Sequence, residues 1–368
     1  MKQSRLQLRL EDGIRNARST FEGDCLRAER AGYLARIGQF EEVRVELAAL
    51  HERYDPRPNA EMSAWLNLVE GLMIYFSAVG SPTNDKIKRS LALSSAARLG
   101  SLQATSSAWL AQFDYARVDI DSMAENLRLS LRTAAPNHHS ARSRASLVLA
   151  QALHLAARPD LALPWYRRAR DHAVAEGDDA TTSALMHNMG WLRMMALRQS
   201  VLSGKISLFG GNHALMNAES TSQLDILTGD ISWDALKPIL RAQILSLQGN
   251  FSGALILYDR HLLETEYEGT DRLQANLLAD KSWCLVMSGQ LELAHACAMS
   301  AIDRITTEAH SDDRASAHSR LAQTFSVLSD DVGEKNQLRM ASDAWCSHEL
   351  LQARVVELVG MMTDIGTD

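Results

Sequence analysis

Apolar residues along this chain recur three and four positions apart. Ala145, Leu149, Ala152, Leu153 and Ala156 trace one side of a helix, and Leu277, Leu278, Lys281, Leu285 and Val286 trace another with one polar lapse. No useful length of sequence alternates apolar and polar residues with the two-residue period of a half-buried strand, so the pattern predicts an all-α chain. Proline placement agrees, because a proline inside a helix removes a hydrogen bond and clashes with the preceding turn. Pro56, Pro58, Pro82, Pro136 and Pro159 fall between the periodic segments, and Pro164 and Pro238 are expected in first helical turns, which tolerate proline.

Short turn signals punctuate the helices: Gly38-Gln39-Phe40, Gly80-Ser81-Pro82, Asp119-Ile120-Asp121, Pro159-Asp160-Leu161, Gly204-Lys205, Gly249-Asn250-Phe251, Gly289-Gln290-Leu291 and Ser329-Asp330-Asp331. They begin 39 to 45 residues apart. A pair of one-faced helices cannot bury both apolar stripes alone, so a step of this size predicts helical hairpins stacked in a row.

Three of the turns share a finer pattern. Gly38-Gln39-Phe40-Glu41-Glu42-Val43, Gly249-Asn250-Phe251-Ser252-Gly253-Ala254 and Gly289-Gln290-Leu291-Glu292-Leu293-Ala294 all run glycine, polar, apolar, two residues, then small or β-branched. Gly190, in Leu185-Met186-His187-Asn188-Met189-Gly190-Trp191, supplies the small upstream contact. This resembles the tetratricopeptide repeat over roughly residues 24 to 350, with a unit longer than the strict repeat of about 34 residues. The longer-helix variants of bacterial regulatory and sensor proteins are the nearer likeness. The resemblance implies an α-α superhelix, right-handed, of about eight hairpins. Leu6, Leu10, Ile14, Ala17 and Phe21 predict one capping helix within residues 1–23, with the solenoid filling residues 24–368. Met340, Ala344, His348, Leu351, Val355, Leu358 and Met362 hold one face of a long C-terminal helix, which is either the last repeat's buried side or a homodimer face.

Composition narrows the function. The 368 residues are 46% hydrophobic and 23% charged, which is the balance of a folded domain rather than a disordered chain. A formal net charge of −7 argues against nucleic-acid binding. The four cysteines are too few for a disulfide framework, which predicts free thiols in a reducing, cytoplasmic setting. The charged N-terminus does not read as a signal peptide, and no run reaches the roughly 20 apolar residues of a membrane span.

Chemistry motifs are weak. There is no GxGxxG, and Gly204-Lys205 lacks the upstream glycine of a phosphate loop. His348-Glu349-Leu350-Leu351-Gln352 nearly spells a zinc-protease motif, but Gln352 stands where the second histidine belongs. Cys284, His295 and Cys297 lack a fourth ligand. No GxSxG elbow occurs. The reading is a non-catalytic chain with no metal or cofactor.

Binding is expected on the groove side of the first helix of each hairpin, where a protein or peptide partner would lie. The candidates are Trp109, Phe113, His187, Trp191, Met194, Gln243, Asn276 and Trp283, and the same spacing equally suits side chains wedged in the core between neighbouring hairpins. Rings and methionines suit an apolar helix or an extended peptide, and the same groove is suited to a small ligand or signal peptide if the protein is a sensor. Charge is uneven: between Asn126 and His172 eight arginines face two aspartates. Arg128, Arg132, Arg142, Arg144, Arg167, Arg168 and Arg170 form a candidate patch for an acidic partner segment, with His138, His139, His154 and His172 in the same stretch. The segment 203–212 carries apolar pairs between glycines and is a candidate lid.

Overall fold

The computed structural model describes residues 4–77, 84–203, 236–267, 271–307 and 309–360, apart from the side chains of residues 187, 188, 190, 191, 193, 236, 237, 263–267, 271 and 272. Among the described residues the chain is all helix, with no strand. Sixteen helices follow one another: α1 (Arg5–Arg15), α2 (Thr20–Arg36), α3 (Phe40–Tyr54), α4 (Ala60–Ser77), α5 (Asp85–Ala96), α6 (Gly100–Ala116), α7 (Ile120–Thr133), α8 (His139–Leu155), α9 (Pro159–Glu176), α10 (Asp179–Leu202), α11 (Leu236–Leu247), α12 (Phe251–Tyr267), α13 (Asp271–Met287), α14 (Leu291–Asp303), α15 (Ser311–Val327) and α16 (Asp331–Gly360).

Short polar side chains start several of these helices by accepting hydrogen bonds from backbone N–H groups that have no partner inside the helix. Ser4 accepts from Gln7 N, Ser19 from Glu22 N, Asp119 from Ser122 N and Asp178 from Thr181 N. The ends share a second device. In six turns a residue takes positive φ, and the next N–H donates back five residues at 2.9–3.0 Å: Gln39 to Leu34, Asp119 to Asp114, Arg158 to Leu153, Asn250 to Leu245, Gln290 to Leu285 and Asp330 to Phe325. The left-handed residues are Gly38, Val118, Ala157, Gly249, Gly289 and Ser329. Six of the eight turn signals in the sequence therefore fall at helix-to-helix turns of one geometry. Gly80-Ser81-Pro82, Gly204-Lys205 and the candidate lid from residue 204 onward lie outside the described residues. Two further turns of this kind have Arg98 (φ 55°) between α5 and α6 and Gly177 (φ 77°) between α9 and α10 at the left-handed position.

Two expectations need correction. Leu6 to Phe21 is not a single helix: α1 ends at Arg15, α2 starts at Thr20, and Ser19 caps the second. Pro164 is not in a first turn, since α9 already begins at Pro159, and Pro164 lies inside it. Pro159 takes the tolerated first position, and Pro164 leaves the carbonyl of Asp160 without its usual helical donor.

The chain divides into two compact units. The first holds α1 to α9, the start of α10 through Met186, and the last turns of α16 from Arg354. The second holds the remainder of α10 through the part of α16 before Arg354. In the first unit each helix packs on the next from α1 to α9, and alternate helices also touch: α2 on α4, α4 on α6, α6 on α8. Small residues allow this approach. A Cβ on Gly71 of α4 would lie 2.4 Å from Ile87 Cγ1 of α5, and Ala104, Ala108, Ala145 and Ala152 are fully buried. In the second unit α11 to α15 pack in sequence, with α11 also on α13 and α13 on α15.

The N-terminal helix is tied to a distant one. Leu6 N donates to Gly177 O at 3.0 Å, Arg5 Nη2 to Val174 O, and Arg9 pairs with Glu176. Leu6 and Leu10 are buried in the core that runs from α1 through α6. The face predicted on α16 is buried within the chain at Ala344, His348, Val355 and Leu358, while Met340 is exposed and Met362 lies outside the described residues.

Candidate binding cavity

Within the first unit α2, the start of α6, the end of α7, the start of α8 and the end of α9 line an open cavity of about 460 Å³. Its wall includes Glu29 of α2, Ser101 in the first turn of α6, Asn137 and His138 before α8, His139 at the start of α8, and Glu176 at the last turn of α9. No lysine or arginine lines it.

Local geometry fixes most of these groups. His138 caps α8: its Nδ1 accepts from Ala141 N at 3.5 Å, and its Nε2 meets Ser101 Oγ at 2.7 Å and Ser101 O at 3.0 Å. Both ring nitrogens are committed, with the proton on Nε2 facing the carbonyl. His139 Nδ1 lies 3.0 Å from His172 Nδ1 of α9, so one ring donates and the other accepts. Burial pushes the His172 imidazole below its ordinary range, and His139, Arg142 and Arg168 add to the effect against Asp171. Glu176 is held by Arg9. Glu29 makes no side-chain hydrogen bond or ion pair among the described residues. Burial pushes its carboxyl up to about 7, the charge of Glu176 adds to the rise, and Arg9 opposes it.

A second constellation belongs to the same unit. Glu29, Tyr33 and Arg36 lie four and three residues apart on one face of α2, as Ser140 and Arg144 do on α8. Arg36 donates to Asp178 Oδ1 (2.9 Å) and Oδ2 (2.7 Å) and to Thr181 Oγ1 (2.6 Å). Burial pushes the Asp178 carboxyl up, but Arg36 and the hydrogen bonds from Thr181 outweigh it and hold the group below the usual carboxylate range. Arg144 stacks its guanidinium 4.0 Å from the centroid of Trp109 and has no carboxylate partner among the described residues. Burial, reinforced by Arg36, pushes it down to about 9.

The residues predicted to face a groove are distributed between the units. Trp109 and Phe113 are 4% and 5% exposed, in a ring cluster where Phe113 stacks on Tyr75 and Trp109 meets Phe76 edge-on. In the second unit Gln243 and Asn276 are brought together around Asp280. Arg198 donates to both Asp280 oxygens and to Asn276 Oδ1, Gln243 Nε2 donates to Asp280 Oδ2, and Arg320 Nε to Asp280 Oδ1. The Arg320 guanidinium covers the ring of half-buried Trp283 at 5.3 Å. Met194 is fully buried with Leu240 and Ile244. The side chains of His187 and Trp191 lie outside the described residues.

The candidate arginine patch serves several purposes. Arg142 donates to the carbonyls of Ala134 and Ala135 after α7, and Arg128 to Leu358 O. Arg168 stacks on Trp165, while Arg170 pairs with neighbouring Asp171. Arg132 and Arg167 are exposed. Cys284 and Cys297 donate to separate acceptors, Ser246 Oγ and Leu278 O, and burial pushes their thiols up to about 12 and about 11.

Glu29, Ser101, Ser140 and Glu176 had escaped the sequence reading. Each is an ordinary polar residue of a helix, and only the packing of α2, α6, α8 and α9 gathers them at one cavity. The signal available was indirect: the histidine-bearing start of α8, noted with the arginines, contributes His138 and His139 to the wall.

Compared with known proteins, the chain matches no family profile, and no curated protein aligns with it as a relative. None of the described helices is long and apolar enough to cross a membrane.

Proposed function

We propose that this chain is a non-catalytic, tetratricopeptide-like helical-repeat protein that binds a small ligand or short peptide and regulates a partner chain. About eight hairpins would stack as a right-handed solenoid. The repeated turn geometry, the spacing of 39 to 45 residues and the packing of alternate helices within each unit support that architecture.

The cavity of the first unit carries the functional reading. Its volume of about 460 Å³ falls in the range of small-ligand sites, roughly 300–1,000 Å³, and is too small for a partner helix. Burial of Trp109 and Phe113 weighs the same way, since they offer little surface to a docking protein. The test is a thermal-shift screen of small molecules and short peptides. A ligand that binds the folded state raises the melting temperature in proportion to the logarithm of its concentration. The rise should disappear in Ala135→Trp, which puts a large ring at the exposed rim of the cavity. A rise that persists in that variant places the ligand elsewhere and defeats this reading.

A scaffold reading is favoured by a different observation. Val332, Leu338 and Leu350 of α16 and Leu291 and Leu293 of α14 are large apolar side chains that remain more than half exposed. A protein held on these helices should be retained in a pull-down and lost when Leu338 and Leu350 become lysine.

A further inference from the structure

The ligand class can be read from the cavity wall, given the binding function proposed above. We infer that the cavity of the first unit takes an organic cation, an alkylammonium or guanidinium group, whose N–H donors pair with the Glu29 carboxylate and share Glu176 with Arg9.

The charge on the wall comes from two carboxylates, and its hydroxyls and amide both donate and accept. Two carboxylates face the cavity, no lysine or arginine does, and the hydroxyls of Ser101 and Ser140 and the amide of Asn137 are neutral. His138 has both nitrogens engaged, and His139 is engaged by His172. Of the two acids, Glu176 is held by Arg9, while Glu29 has no hydrogen-bond or ion-pair partner among the described residues. A half-buried carboxylate with no direct ion pair, its nearby Arg9 being held by Glu176, is poorly solvated, so a cation placed beside it gains more than it would beside an exposed acid. Glu176 already holds Arg9, but the Arg9 side chain is 51% exposed and can yield one oxygen without losing its solvation.

The competing class is an anion. Its one supporter is the start of α6, where Leu99 offers no capping side chain and Gly100 and Ser101 line the wall. A helix N-terminus carries about half a positive charge. Two carboxylates outweigh it. The corresponding terminus of α8 is already answered by His138. A neutral ligand would leave Glu29 unpaired.

An ammonium or guanidinium group can arrive on a free amine or on a basic side chain of a peptide, and the probes separate the two. Titrations of the full chain at pH 8 would use agmatine, 1,4-diaminobutane, and blocked tripeptides with lysine or arginine at the centre. Glutarate and a blocked triglycine serve as anionic and neutral controls. The expected result is a saturable calorimetric signal with at least one cation, weakened at least tenfold by Glu29→Gln. That variant keeps the shape and mimics the protonated acid, so it should fold. Asn137→Lys, at an exposed wall position, should also abolish binding by supplying a resident charge. Binding by agmatine or the diamine assigns a free amine, and binding only by the tripeptides assigns a polypeptide side chain.

Cation binding unchanged in both variants overturns the proposal. Binding of glutarate or triglycine alone, lost in Ala135→Trp, overturns the cation class while leaving the cavity as a ligand site. If no probe binds and a broad fragment screen also gives no signal that Ala135→Trp removes, the cation class and the functional reading fall together.

Discussion

Arg36 and Asp178 are 142 residues apart in sequence, yet the guanidinium of one donates to both carboxylate oxygens of the other. The same carboxylate caps α10 through Thr181 N and accepts from the Thr181 hydroxyl. Asp178 thus closes the first unit and starts a helix with one side chain. Both partners are buried, with side chains 11% and 6% exposed, so removing one strands the other away from water. Asp178→Asn should cost about 3–5 kcal/mol of unfolding free energy. Arg144 beside it makes the loss worse, because the two guanidiniums would face each other without an acid. Urea denaturation of Asp178→Asn, Arg36→Met and the double variant measures the coupling. If the single variants lose less than about 1 kcal/mol, the pair is not the closure described here.

Glu29 in the cavity wall and His172, which meets the wall residue His139, give the stability of the protein opposing pH dependences. Glu29 has a folded value near 7 against an ordinary 4.5, so its contribution is complete below pH 4.5 and is lost as pH rises to about 7. His172 is shifted the other way. Its stabilising contribution is present above pH 6.5 and is lost as pH falls through the lowered folded value. Glu29→Gln should therefore stabilise the protein at pH 8 by on the order of 2–3 kcal/mol and change little at pH 4.5. His172→Asn should flatten the acid side. Glu176 and Arg9 act on Glu29, and His139, Arg142, Asp171 and Arg168 act on His172, so a variant carrying both Glu29→Gln and His172→Asn separates direct from mutual effects. Denaturation midpoints at pH 4.5, 6 and 8 supply the measurement.

Turns of one geometry are built from unequal residues. Val118 and Ser329 sit at φ of 60° and 59°, where a side chain is strained and a β-branched one most of all. Val118→Gly should raise stability by about 0.5–1 kcal/mol, after allowing for the greater freedom that glycine adds to the unfolded chain. Gly289→Ala has the reverse sign. A Cβ there meets nothing within 4 Å, so its cost of about 1 kcal/mol is backbone strain alone. Equal and opposite melting shifts are not required, but a destabilising Val118→Gly would contradict the turn as described.

Asp280 is shared by two arginines in the second unit, and all three side chains are at most 5% exposed. Burial pushes its carboxyl up, while Arg198 and Arg320 outweigh this and hold it below the usual range. Asp280→Asn leaves two buried guanidiniums with no counter-charge and should cost about 3–5 kcal/mol. Near-ultraviolet circular dichroism would report the loss through Trp283, whose ring Arg320 covers.

Much of the fold was legible because it is local. Three-and-four periodicity marked α8 and α13, and turn residues marked six helix ends. The boundary at Asn16–Ser19 was hidden because apolar residues on both sides keep helical phase, and only the Ser19 cap interrupts them. Pro164 misled because a helix can absorb a proline near its start. The turn at Arg98 carried no glycine to announce it. The cavity was not legible, since its acids become special only through neighbours more than a hundred residues away, as Glu29 and Glu176 are. Gln243 and Asn276 were picked out as groove positions, yet their side chains serve a buried carboxylate that local spacing does not reveal.

The tie between Leu6 and Gly177 sets an order of events during synthesis. The first helix leaves the ribosome early but meets its partners only after some 170 further residues have been made. Until then α1 lacks its hydrogen bonds and ion pair to α9 and has only the core it shares with α2 to α6. The packing of α1 is therefore completed only after α9 has been made, and a nascent chain stalled before Glu176 should leave α1 open to protease.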